Sequence, residues 1–118
     1  MAKKPLQFTL NGSEKAVFTE DGQNLLDLLR RGVGDLTPKY GCGQGTCGTC
    51  TVLIDGEPHL SCLVLAETVA GRQVSTTAGL AEGTQLHPLQ QAFMDNFAAQ
   101  CGYCTPGMLL VAKALLDR

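Results

Sequence analysis

Four cysteines constrain this chain more than any other feature: Cys42, Cys47, Cys50 and Cys62, with four, two and eleven residues between successive members. The first three share a loop with Gly41, Gly43, Gly45 and Gly48, so the backbone there can turn tightly around whatever the thiols hold, without Cβ obstruction. Six cysteines in 118 residues would suggest disulfides in an exported protein. The stretch from Met1 to Leu10 carries Lys3, Lys4 and Pro5 among alternating polar residues, and lacks the unbroken apolar run of a secretory signal. The expectation is therefore a cytoplasmic protein whose thiols are ligands.

Three ligands on one loop and a fourth from a distant strand end is the plant-type 2Fe-2S pattern, in which two irons each take two thiolates. Structural zinc favours two short paired knuckles, and here the eleven-residue gap before Cys62 pairs with nothing. The glycine amides of the loop can also donate to the cluster sulfurs, which tunes the reduction potential.

The rest of the chain reads as an α+β fold built to carry that loop. Leu6, Phe8 and Leu10 alternate, Asn11-Gly12 signals a two-residue turn, and Ala16 and Phe18 resume the alternation on a return strand. A helix follows, with Leu25, Leu26, Leu28 and Leu29 after the N-cap candidate Asn24, and Gly32 placed to end it. Thr51 to Ile54 reads as a buried strand, turned by Asp55-Gly56 into Glu57 to Leu60, and Gly71 to Thr76 gives one more. After Gly79 the period becomes helical. Leu86, Leu89, Phe93 and Phe97 follow Thr84 with Pro88 in the first turn, and Met108 to Leu116 reads as a second helix. The division is drawn as 1–79, a sheet part, and 80–118, a helical part.

Composition excludes some classes of function. The formal charge is -2 and basic residues are scattered, which is not the footprint of a nucleic-acid binder. The longest apolar candidate, Met108 to Leu116, is interrupted by Lys113 and falls far short of the ~20 residues of a membrane span. His59, Ser61 and Asp55 sit around one short hairpin with no nucleophile-elbow signal, so no catalytic residue is assigned. His87, before Pro88, reads as a cap or a partner contact, and Phe93, Met94 and Phe97 as core.

Cys101 and Cys104 form a CxxC between the two helical stretches. By itself that spacing admits a redox dithiol, half a zinc site or half an iron-sulfur site.

Taken together, Gly41-Cys42-Gly43-Gln44-Gly45-Thr46-Cys47-Gly48-Thr49-Cys50-Thr51-Val52, Ser61-Cys62, His87-Pro88-Leu89-Gln90 and Gln100-Cys101-Gly102-Tyr103-Cys104-Thr105-Pro106-Gly107-Met108 resemble the small iron-sulfur subunit of the molybdenum hydroxylases, the xanthine oxidase, aldehyde oxidoreductase and carbon monoxide dehydrogenase family. The resemblance runs from about Leu6 to the C-terminus. It implies an N-terminal β-grasp, plant-type ferredoxin-like domain with one 2Fe-2S cluster, and a C-terminal helical bundle with a second cluster nearer a molybdopterin cofactor. It also implies a large molybdopterin-binding subunit and commonly an FAD-binding medium subunit. The chain would then be an electron-transfer subunit, carrying electrons from the molybdopterin site to FAD or another acceptor. Gln100 matches a glutamine that approaches the pterin, and Cys101 and Cys104 match half of the second cluster's ligands. Family members continue with two further helices and a second cysteine pair, whereas this sequence stops at Arg118. A truncated sequence is the expectation, against a partner chain that carries the missing pair or the absence of a second site. Two rival readings are a free-standing 2Fe-2S ferredoxin and a zinc-stabilised interaction module. The weak charge supports the first poorly, because free carriers use strong charge to steer docking.

Overall fold

A two-residue turn sets the geometry of the first hairpin. In the computed structural model, which describes residues 3–118, β1 (Lys3–Leu10) and β2 (Ser13–Glu20) pair antiparallel around Asn11 and Gly12, both with positive φ (50° and 83°). Met1 and Ala2, part of the stretch weighed as an export signal, lie outside the described residues. That turn fixes the register, placing Leu6 opposite Val17 and Phe8 opposite Lys15 on the inner face. Ala16 and Phe18 therefore fall opposite Gln7 and Pro5 on the outer face, and Phe18 is 67% exposed. The expected alternation on β2 is present, but its apolar members point to solvent and Val17 and Thr19 point inward.

Asn24 caps the following helix, its Oδ1 accepting from the Asp27 amide at 2.7 Å. The helix begins as α1 (Leu25–Asp27) and continues with π-helical pairing over Leu28–Val33. Gly32 does not end it. Gly34 does, at φ 86°, with its amide on the Leu29 carbonyl. Leu25, Leu28 and Leu29 are fully buried against Leu6, Phe8 and Leu10.

The remaining strands, β3 (Thr51–Ile54), β4 (Glu57–Leu60) and β5 (Gln73–Ser75), complete a sheet of order β2-β1-β5-β3-β4. β5 runs parallel to β1 and antiparallel to β3, so the sheet is mixed, in a β-grasp around α1. Every residue of β3 is buried. Val52 and Ile54 face the α1 side, whereas Leu53 faces the other way and packs with Leu80, Leu109, Leu110 and Ala114. A strand covered on both faces reads as a continuous apolar run, as Val52 to Ile54 does.

That second covering comes from the helical part, α2 (Pro88–Asp95) and α3 (Thr105–Leu116). Each starts elsewhere than its periodicity suggests. α2 is capped by His87, not Thr84: His87 Nδ1 accepts from the Leu89 amide at 3.1 Å, and the Gln90 side chain accepts from the His87 amide at 2.9 Å. Leu86 and Phe97 lie outside α2. Phe97 is 90% exposed with φ 51° and Met94 is exposed, so only Phe93 of that trio meets the core. α3 begins at Thr105, with Pro106 in its first turn, three residues earlier than expected. Among the described residues, no helix is long and apolar enough to cross a membrane.

Candidate iron-sulfur centre

The loop after α1 is braced before it reaches its first cysteine. Arg30 donates to the carbonyls of Leu36 and Pro38 (3.0 and 2.9 Å), and Lys39 and Thr49 close the base of the loop by exchanging two hydrogen bonds (3.0 and 3.2 Å). Within this frame the backbone turns inward on Cys42. Its Sγ accepts from the amides of Gln44 (3.4 Å), Thr46 (3.2 Å) and Cys47 (3.3 Å). Gly43 and Gly45, at φ 68° and 88°, supply the left-handed steps that aim successive amides at one point, an anion-binding nest.

The electrostatics follow from those donors. The Thr46 hydroxyl and the amides of Gln44, Cys47 and Thr46 hold the Cys42 thiol down to about 5, so it is a thiolate at neutral pH. Cys62 behaves oppositely: burial, a hydrogen bond with the neighbouring Cys50 and charge interactions with Cys50 and Cys42 push it up to about 11. Cys50 and Cys42 thus both act on Cys62 across the fold. Ser61 helps bring them together, because its buried hydroxyl and its amide both donate to the Cys50 carbonyl (2.6 and 3.4 Å). Cys50 is buried, while Cys47 is exposed and its Sγ meets Thr49 Oγ1 at 3.1 Å. Among the described residues, no three His, Cys, Asp or Glu side chains are gathered as a metal cage. The donor chemistry nonetheless fits a 2Fe-2S group, with four soft thiols and several amides aimed at sulfur.

A consequence is measurable in the cluster-free chain. At pH 7 Cys42 therefore carries the larger thiolate fraction, an advantage only partly offset by its lower intrinsic nucleophilicity. Iodoacetamide is expected to label Cys42 faster than Cys62, as read by peptide mass spectrometry. The preference should shrink as pH rises toward 11, where Cys62 also ionises. Faster labelling of Cys62 at pH 7 would contradict the amide nest.

Cys101 and Cys104 lie in the turn before α3, both exposed, with Cys104 Sγ 3.6 Å from Met108 Sδ. Gln100 is exposed beside them. Four of the six cysteines belong to the first spacing pattern, and this pair offers two of the four thiolates that a 2Fe-2S site takes. Cys104 does share an apolar groove with Cys47, Phe93, Met108 and Leu115. The residues set aside as a triad have structural tasks: Asp55 accepts from the Gln73 amide at 3.0 Å, and His59 is exposed on edge strand β4. Sequence reasoning missed the contacts that tie the two cysteine regions together. Tyr103 Oη donates to the Tyr40 carbonyl, and Gly107 rests against the backbone of Gly48.

Residues 8–81 match the family described as 2Fe-2S iron-sulfur cluster binding domain, and residues 76–118 match the 2Fe-2S binding domain family. The chain is 45% identical to the nicotinate dehydrogenase small FeS subunit of Eubacterium barkeri, over all of this chain and 75% of that one. It superposes on quinoline 2-oxidoreductase from Pseudomonas putida 86 with a TM-score of 0.96 at 42% identity, over 98% of this chain and 72% of that one. This chain is a small iron-sulfur subunit of the molybdenum hydroxylase family. In the aldehyde oxidoreductase of Megalodesulfovibrio gigas, 42% identical over 92% of this chain, the matching segment is 12% of a much longer polypeptide. A molybdenum hydroxylase small subunit works as the electron-transfer part of a larger oxidoreductase, not as a free ferredoxin.

Proposed function

We propose that Cys42, Cys47, Cys50 and Cys62 hold one 2Fe-2S cluster and that Cys101 and Cys104 supply half the ligands of a second. The observation that supports the first assignment is the convergence of three backbone amides on Cys42 Sγ, with Cys62 in electrostatic reach of both Cys42 and Cys50. A bound 2Fe-2S group takes up and releases one electron at a time. The chain's own residues do the rest: the nest stabilises the charge on Cys42, buried Cys50 and half-buried Cys62 limit water, and Thr49 steadies Cys47.

The division into a ferredoxin-like unit, 1–79, and a helical unit, 80–118, is supported by the change from sheet to helix near Leu80. Gln100 would meet the molybdopterin of a large partner subunit, a reading supported by its exposure next to Cys101 and by an amide that can both donate and accept. Electrons would leave from the Cys42 side toward an FAD-binding medium subunit or another acceptor. The substrate would bind on the large subunit, a reading supported by the range of the relatives' names, since nicotinate, quinoline and an aldehyde are too unlike to share a pocket on this chain. The thiol-rich, disulfide-free chain suits assembly in the cytoplasm.

The test is iron quantification with EPR on the intact native complex. Two distinct 2Fe-2S signals per copy of this chain are expected, with a large molybdenum-containing chain co-purifying. A single signal, with Cys101 and Cys104 open to thiol reagents, would remove the second assignment.

A further inference from the structure

The turn carrying Cys101 and Cys104 touches the loop carrying Cys42 through one polar contact. Tyr103, the residue immediately before Cys104, donates its hydroxyl to the carbonyl of Tyr40, 63 positions earlier and two residues before Cys42. Tyr40 is itself fixed from the other side. A Cβ on Gly43 would lie 2.7 Å from Tyr40 Oη and 3.2 Å from its ring, so the Tyr40 ring lies directly on the amide nest. The helix after the turn is held separately, by Gly107 against Gly48 and by the Thr77 hydroxyl on the Pro106 carbonyl at 2.8 Å.

We infer that the Tyr103 hydroxyl is a positioning group for electron passage, giving a bonded route between the Cys101/Cys104 turn and Cys42; the inference rests on the ligand assignments proposed above. The route runs from the Tyr103 backbone through its ring, across one hydrogen bond to the Tyr40 carbonyl, and on through Gly41 to Cys42, without a step through solvent. Local stability gives little reason for the bond. Tyr103 is 46% exposed, so water could serve its hydroxyl equally well, and an internal hydrogen bond there adds little net stability. Position is what the bond supplies: it fixes the distance between two segments that nothing in local sequence connects. One electron leaves the Cys101/Cys104 side and one arrives on the Cys42 side. No bond breaks, Tyr103 keeps its proton, and the phenol is not oxidised.

Tyr103→Phe in the native complex removes one oxygen and keeps the ring. The expected result is a several-fold slower transfer between the two iron-sulfur signals in rapid-freeze EPR, with iron content and both midpoint potentials unchanged. Amide exchange over residues 101–104 should quicken about five-fold, the loss of one modest hydrogen bond. Tyr103→Leu, which also removes the ring, should slow transfer at least as much. A wild-type transfer rate in Tyr103→Phe overturns the inference, and so does loss of iron, since the hydroxyl would then be holding a site together. Failure of the ligand assignments is a separate result, visible in the unmutated complex as a missing second signal.

Discussion

Cys42→Ala is expected to lose about two iron atoms per copy of this chain, half of the full complement, along with one of the two 2Fe-2S signals. Alanine removes a thiolate and also leaves three converging amides, those of Gln44, Thr46 and Cys47, without their acceptor. The loop then loses the acceptor around which its nest is built as well as one of the four thiolates the cluster takes, so cluster assembly should fail. Electron flow to external acceptors should stop while the molybdenum content of the complex stays unchanged. Iron analysis, visible absorption and EPR of the purified variant decide it. Retention of full iron would exclude Cys42 as a ligand.

Gly107→Ala should be the most damaging single methyl in the chain. A Cβ at that position would lie 2.4 Å from the Gly48 carbonyl oxygen and 3.4 Å from its carbon, and both are backbone atoms that cannot rotate away. Either α3 must lift or the cysteine loop must move. Overpacking of this kind costs about 1–3 kcal/mol. The cost falls on the junction between Cys47 and α3, so a lower melting temperature should come with reduced iron occupancy. A variant that melts and loads iron like the wild type would show that the helix does not rest on Gly48.

Much of this architecture was legible because local chemistry decides it. Asn11-Gly12 and Asp55-Gly56 both adopt the positive-φ pairs of tight hairpin turns, and Asn24 caps the helix it precedes. The cysteine spacing marked the centre for the same reason, since a loop that wraps thiolates needs its glycines nearby. What escaped was decided at a distance. The outward aim of Ala16 and Phe18 depends on a register that only the turn count fixes, and an alternation has no sign until the core is known. Gly34 replaced Gly32 because the π-helical pairing after Leu28 lengthened the last turn. The position of His87 before Pro88 admits a cap or a partner contact, and its capping pairs with Gln90, a combination outside the usual Ser/Thr pattern. The Tyr103–Tyr40 and Gly107–Gly48 contacts join residues about sixty apart, and no periodicity or motif encodes such a meeting.

The burial of β3 on both faces has a consequence for anyone who would treat the halves as interchangeable parts. Leu53 is as much a member of the α3 interior as Val52 is of the α1 interior, so a cut at residue 79 would leave an oily plank open along the sheet. A chimera that grafts this ferredoxin-like half onto another carrier inherits that wound and must either bring α3 along or repaint Leu53 and its neighbours with polar residues.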